Sequence, residues 1–146
     1  MDDNFPWAFA DGASQGWPRL GGARGIIHLS PYRSIHFATG LGEASNNQAE
    51  LAAVNILLRL TLELGVDRLQ VAGDSLLVVD CLKMHKAPVD IFLLPLFEDI
   101  DRVRTHFSFL SFQHIFREAN AVAYGLSKKD LFLSAGYSDR WEMNDG

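Results

Sequence analysis

Cysteine is nearly absent. Cys81 stands alone among 146 residues, which excludes an internal disulfide and a cysteine-based zinc cluster and suits a reducing compartment. An intracellular setting is expected. Long apolar runs are missing too, none approaching the roughly 18 residues of a membrane span. The start Met1-Asp2-Asp3-Asn4 also lacks the basic stretch of a signal peptide. The expectation is a chain neither exported nor anchored, with no membrane partner. Basic charge is scarce as well: 13 Lys plus Arg face 18 Asp plus Glu, for a net charge of −5. That argues against strong non-specific nucleic-acid binding, which draws on Lys and Arg displacing counterions from phosphates. Any such contact has to be local. The basic residues gather as Arg19 with Arg24, Lys83 with His85 and Lys86, and Lys128 with Lys129, each group read by itself as solvated surface charge.

What is present is a globule's composition, 48% hydrophobic and 21% charged. A chain of this length folds as one domain that buries roughly two thirds of its unfolded surface. One domain over 1–146 is expected, with its core at about 7–133 and a loosely held tail over 134–146. A monomer is expected.

Turn residues and apolar periodicity divide the chain. Strands are expected at about 5–11, 23–29 and 34–40, forming an antiparallel meander, with 12–22 a Gly/Pro-rich turn. A helix follows over 48–64, ended by Gly65, with Ala49, Ala52, Ala53, Ile56, Leu57, Leu60 and Leu64 as its apolar stripe. Next come a strand at 68–72 and a helix at 75–84, which Ala87-Pro88 breaks. A helix over 91–106, kinked or started near Pro95, a strand over 107–116 and a helix over 120–133 complete the pattern. The reading is an α/β fold with a mixed five-stranded sheet, three antiparallel strands then two parallel, and helices on both faces.

Three acids sit at the ends of hydrophobic segments: Asp11 before Gly12, Glu50 in the first turn of the long helix, and Asp74 after Gly73. If the first and fourth strands are parallel neighbours, Asp11 and Asp74 emerge at one sheet edge, which the helix bearing Glu50 can face. No basic residue adjoins Asp11 or Asp74 in sequence, so a cation supplied from outside the chain is indicated. Hard carboxylate oxygens suit Mg²⁺. Singly, each acid is also explained as a helix-dipole, turn or capping residue.

These segments resemble the type 1 ribonuclease H family, particularly the forms in plant retroelement polymerases and compact bacterial and archaeal enzymes, over about residues 7–133. Asp11-Gly12-Ala13-Ser14-Gln15-Gly16-Trp17-Pro18 is similar to the family's first motif, Ser45-Asn46-Asn47-Gln48-Ala49-Glu50 to its second and Gly73-Asp74-Ser75 to its third. His114-Ile115-Phe116-Arg117-Glu118-Ala119-Asn120 resembles its entry to the last helix. The resemblance implies a ribonuclease H-like fold and an endoribonuclease that hydrolyses the RNA strand of an RNA–DNA hybrid with two Mg²⁺ ions, or Mn²⁺. It implies Asp11, Glu50 and Asp74 as catalytic metal ligands, Asp11 bridging both ions. Gly12, Ser14, Asn46, Asn47, Gln48 and Ser75 would lie against substrate, where 2′-hydroxyls mark the RNA strand. His114 and Arg117 are auxiliary candidates for product release, and Glu118 for a missing ligand. A reverse transcriptase or other fused or partner domain is an implied associate.

The sequence departs from the family pattern twice. Tyr124 occupies the place of a fourth metal-binding Asp, so the second ion is expected to be weakly held. Trp17 replaces an Asn and is expected to pack. The alternatives are a non-catalytic module binding RNA–DNA hybrid or RNA, derived from a retroelement ribonuclease H, and a protein-interaction domain presenting Tyr137 and Trp141.

Overall fold

The computed structural model of the chain describes residues 5–115 and 138–144. Its elements run β1 (Trp7–Gln15), β2 (Leu20–Ser30), β3 (Arg33–Glu43), α1 (Asn46–Glu63), β4 (Arg68–Gly73), α2 (Leu76–Lys83), α3 (Leu94–Arg104), β5 (Phe109–His114) and β6 (Ser138–Asn144). The sheet order is β5-β4-β1-β2-β3-β6. β1, β2, β3 and β6 pair antiparallel, and β4 pairs parallel with both β1 and β5.

The expected mixed α/β sheet is therefore present, with two corrections. The β1–β2 hairpin is longer than its glycines suggested. Asp11 pairs with Arg24 and Gln15 with Leu20, so the turn is confined to residues 16–19 and Asp11 lies inside a strand rather than at its end. The second correction is a sixth strand. The tail expected to hang loosely pairs along β3 from Arg33↔Asn144 to Thr39↔Ser138. Arg140 grips Glu63 at the end of α1 (Nη1 to Oε2, 3.0 Å), Arg33 pairs with Glu142, and Trp141 stacks on His36 at 5.4 Å. Trp141 is thus part of the sheet's own packing. Tyr137 lies outside the described residues.

Alternation along the strands sorts the sheet's two faces. Ala8, Ala10, Ile27, Ile35, Phe37, Leu69, Val71 and Phe112 share one core with α1, α2 and α3. Phe9, Ile26 and Ala72 form a second cluster on the opposite face, with Trp7 packed against it. The described helices all lie on the first face. The helix expected over 120–133 lies outside the described residues. Among those described, no helix is long and apolar enough to cross a membrane.

α1 is sandwiched between the sheet and α3, so its buried surface exceeds a single stripe. Leu51, Val54 and Leu58 are buried beside the expected Ala49, Ala53, Leu57 and Leu60, whereas Ala52, Ile56 and Leu64 are only partly covered. Each fully buried leucine contributes about 1.5–3 kcal/mol. Asn55 and Arg59 tie α1 to α3 through Asp99 at 2.7 and 2.8 Å. A reciprocal capping box starts α1: Gln48 N–H donates to Ser45 Oγ, and Ser45 N–H donates to Gln48 Oε1. Pro95 lies in the first turn of α3, in keeping with the start expected near it.

α1 crosses β1 at a separation that tolerates no side chain on Gly12. A Cβ there would fall 2.2 Å from the Ala49 carbonyl carbon and oxygen. Gly12→Ala should therefore cost stability by about 1–3 kcal/mol, read in thermal or denaturant unfolding. A wild-type Tm would refute the close approach.

On the opposite face His28 stacks on Trp7 at 3.9 Å. Burial first, and the neighbouring His36 second, hold its imidazole below the ordinary histidine range. The unfolded chain consequently takes up this proton before the folded one does. Stability should be intact above the ordinary value of 6.5 and decline as pH falls below it. His28→Phe, which preserves the stack, should flatten the fall in Tm between about pH 6.5 and 5. An unchanged pH profile would remove His28 as its source.

Candidate active site

The site forms where β4 stops. Its last pairing with β1 is Gly73↔Ala10, so Asp74 and Asp11 are the next residues on two parallel neighbours. Glu50, in the second turn of α1 (Asn46–Glu63), is brought over them by the Gly12 crossing. Glu50 is 2% exposed, and its Oε2 accepts the Gly12 backbone N–H at 2.9 Å. A Cβ on Gly73 would lie 3.2 Å from Glu50 Oε1, so the small residue at the strand end leaves the carboxylate its room. One oxygen each from Asp11, Glu50 and Asp74 lies within 4.8 Å of the others, close enough to hold a metal ion. Three carboxylates this close repel one another unless cationic charge offsets them.

Part of that charge comes from the chain itself. Arg24, opposite Asp11 in β2, is 4% exposed and donates from Nη2 to Asp11 Oδ2 at 3.2 Å. Two expectations are corrected here: Arg24 is not solvated surface charge, and Asp11 does have a basic neighbour. The signal was available in the hairpin register. A turn confined to residues 16–19 places position 24 across from position 11, while a turn spread over 12–22 hides the pairing.

The other expected residues divide into those tied to the scaffold and those facing outward. Asn46 Oδ1 accepts from both the N–H and the hydroxyl of Ser14, at 2.8 and 3.2 Å, joining the tip of β1 to the start of α1. Gln48 serves the capping box, and Ser75 caps α2 by accepting the Val78 N–H. Asn47 borders a groove with Leu77, Cys81, Lys86, Pro88 and Val89. His114 ends β5 beside Gly73, and its Nε2 donates to the Asp74 carbonyl at 3.2 Å. Trp17, expected to pack, is 94% exposed at the hairpin tip. Arg117, Glu118 and Tyr124 lie outside the described residues.

A family model described as reverse transcriptase-like matches residues 9–130. No curated protein matches the chain significantly. Among solved structures, ribonuclease H1 of the halophilic archaeon Halobacterium salinarum is 27% identical, with a TM-score of 0.74 over 86% of this chain and 96% of that one. LC11 ribonuclease H1, isolated from compost by a metagenomic approach, is 25% identical with a TM-score of 0.74 over 88% and 96% of the two chains. The same compost enzyme in complex with an RNA/DNA hybrid aligns with a TM-score of 0.72 at 24% identity, a likeness of fold. With residues 9–130 matched and the acids converging at the end of β4, the chain belongs to the reverse transcriptase-like family, and its ribonuclease H-like fold and acid triad suggest a nuclease.

Proposed function

We propose that the chain is a metal-dependent endoribonuclease that hydrolyses the RNA strand of RNA–DNA hybrids inside the cell. The observation that carries this reading is the meeting of Asp11, Glu50 and Asp74 within 4.8 Å from three separate elements. Such a donor set suits Mg²⁺ or Mn²⁺, whose ligands are hard oxygens. Two ions are proposed, the second weakly held. When bound they would activate a water and stabilise the leaving oxygen. Asp11, Glu50 and Asp74 are the proposed ligands, and Glu50 is oriented by its Oε2, which accepts the Gly12 N–H.

Substrate is proposed to lie along the edge made by Gly12, Ser14, Asn46, Asn47, Gln48 and Ser75. Asn46 directs Oδ1 to Ser14, which orients its amide NH₂ as a donor to a 2′-hydroxyl, the group that separates RNA from DNA. Gln48 uses Oε1 in the capping box and keeps its NH₂ for the same edge. Trp17, exposed on the same hairpin, offers a face for stacking on sugar or base. Lys86, beside Asn47 in the groove, supplies local positive charge. His114 assists at the third acid, and Arg117 and Glu118 belong to the same proposal from sequence alone. Further affinity is assigned to a fused or partner domain such as a reverse transcriptase, a reading the family description supports.

A second reading, hybrid or RNA binding without cleavage, is favoured by the Arg24 contact on Asp11 and by Tyr124 at the fourth-acid position. Cleavage separates the two. A labelled RNA–DNA hybrid should be cut in its RNA strand with Mg²⁺ or Mn²⁺, with duplex DNA left intact and all cutting stopped by EDTA. Asp11→Asn should lower kcat by on the order of 10²–10³-fold while hybrid binding persists. Wild-type binding with no cleavage in either ion would establish the second reading instead. Asn46→Ala should raise KM about tenfold, the equivalent of about one hydrogen bond, and leave kcat near wild type. An unchanged KM would remove Asn46 from the substrate edge.

A further inference from the structure

His85 stands where a chain ordinarily asks for glycine. Its φ is 54°, the only positive value at a non-glycine among the described residues, and in that region a Cβ crowds the backbone. The residue follows Met84, the C-cap of α2 (Leu76–Lys83), and Lys86 N–H closes the turn on the Cys81 carbonyl at 2.9 Å. Glycine is the usual occupant of such a position. What a side chain gains there is reach. His85 Nε2 lies 3.0 Å from Asp101 Oδ1 on α3 (Leu94–Arg104), while Arg104 Nη1 approaches the same oxygen at 3.8 Å and its guanidinium lies over the Phe112 ring of β5. With the His85 side chain 62% exposed, the contact adds little stability. Its effect is on the direction the chain takes.

The segment that leaves this turn forms one wall of a groove. Lys86, Pro88 and Val89 face Asn47 of α1 (Asn46–Glu63) and Leu77 and Cys81 of α2 across a volume of about 540 Å³. Glu50 follows Asn47 by about one helical turn, so the groove adjoins the acids. The path of residues 86–90 sets how wide it stands and where Lys86 sits. Resting on the reading of this edge as the substrate surface, we propose that His85 is a positioning residue for nucleic acid. By clamping the turn after α2 onto Asp101, it fixes the wall of the groove and the place of the Lys86 ammonium relative to Asn47. An entering strand then meets a cation already in position, and the cost of ordering that segment does not fall on binding. The left-handed backbone at His85 belongs to the same device, because it turns the ring toward α3 while sending the chain back along the groove. His85 acts through Lys86 and not on the reacting atoms.

The test uses two variants and two readouts, one of them independent of cleavage. His85→Gly keeps the left-handed turn, relieves its crowding and removes the ring, whereas Asp101→Asn keeps the size of the partner and removes its charge. In substrate-free protein, hydrogen exchange at the Lys86 amide should quicken in both variants, with exchange along β1 and the Tm unchanged. With an RNA–DNA hybrid, each variant should raise KM about three- to fivefold and leave kcat at the wild-type value. The double variant should do no more than either single one, as partners in one contact require. Faster exchange with a wild-type KM, or wild-type exchange in His85→Gly, would overturn the inference while leaving the nuclease reading standing. A fall in kcat with KM unchanged would also overturn it, since that would place His85 in the chemical step. A wild-type chain that neither cuts nor binds the hybrid would overturn both readings.

Discussion

The crossing of α1 over β1 at Gly12 is the contact on which the site depends. Backbone meets backbone there, with the Ala49 carbonyl where a side chain would otherwise stand. The Gly12 N–H, whose strand neighbours are taken up by the hairpin, turns to Glu50 Oε2. A buried carboxylate is tolerated only when it is hydrogen-bonded and electrostatically offset. Glu50 obtains its hydrogen bond from the same close approach that buries it, and packing and placement of the carboxylate are accordingly one event. A looser helix would hydrate Glu50 and also withdraw it from Asp11 and Asp74.

The sheet supplies the second requirement, an end at which side chains from both faces can meet. Asp11 has the parity of Phe9, on the face opposite α1, whereas Glu50 comes from the α1 side. Within a continuous sheet they would be separated by backbone. Because β4 makes its last pairing at Gly73, and because Gly73 carries no side chain, Glu50 reaches the strand end where Asp11 and Asp74 emerge. Parallel pairing matters here, since it brings the carboxyl end of β4 level with Asp11 inside β1.

Much of this was legible in the sequence, and the exceptions share a cause. Segments whose fate is set locally read correctly: the helix stop at Gly65, the Pro95 start of α3, and the strand β4 beside its parallel partners. The misread segments are those whose conformation is decided by a distant partner. Glycines in 12–22 carry turn propensity, yet most of them lie in strands because β2 pairs back to Leu20 and α1 demands a small residue at position 12. The tail has the composition of a loop, yet the free edge of β3 and the ion pairs of Arg140 and Glu142 order it as β6. For the candidate site, the three acids were identifiable from their places at segment ends. Arg24 was not, since its relation to Asp11 exists only once the hairpin register is fixed. Trp17 escaped for the opposite reason: an aromatic residue in a chain rich in core-formers suggests burial, but a tight hairpin tip projects it into solvent.

The same hairpin register that disclosed Arg24 shows why the triad by itself does not define the chemistry. A fold of this kind hosts more than one function, and what distinguishes them is the charge assembled at the end of β4. Three carboxylates this close repel one another. With Arg24 on Asp11, the folded chain itself offsets part of that repulsion. That relief has a consequence for affinity, because whatever stabilises the metal-free state weakens metal binding by the same free energy. An arginine that stabilises the metal-free carboxylates at Asp11 would therefore oppose, by the same free energy, any ion that binds through that residue.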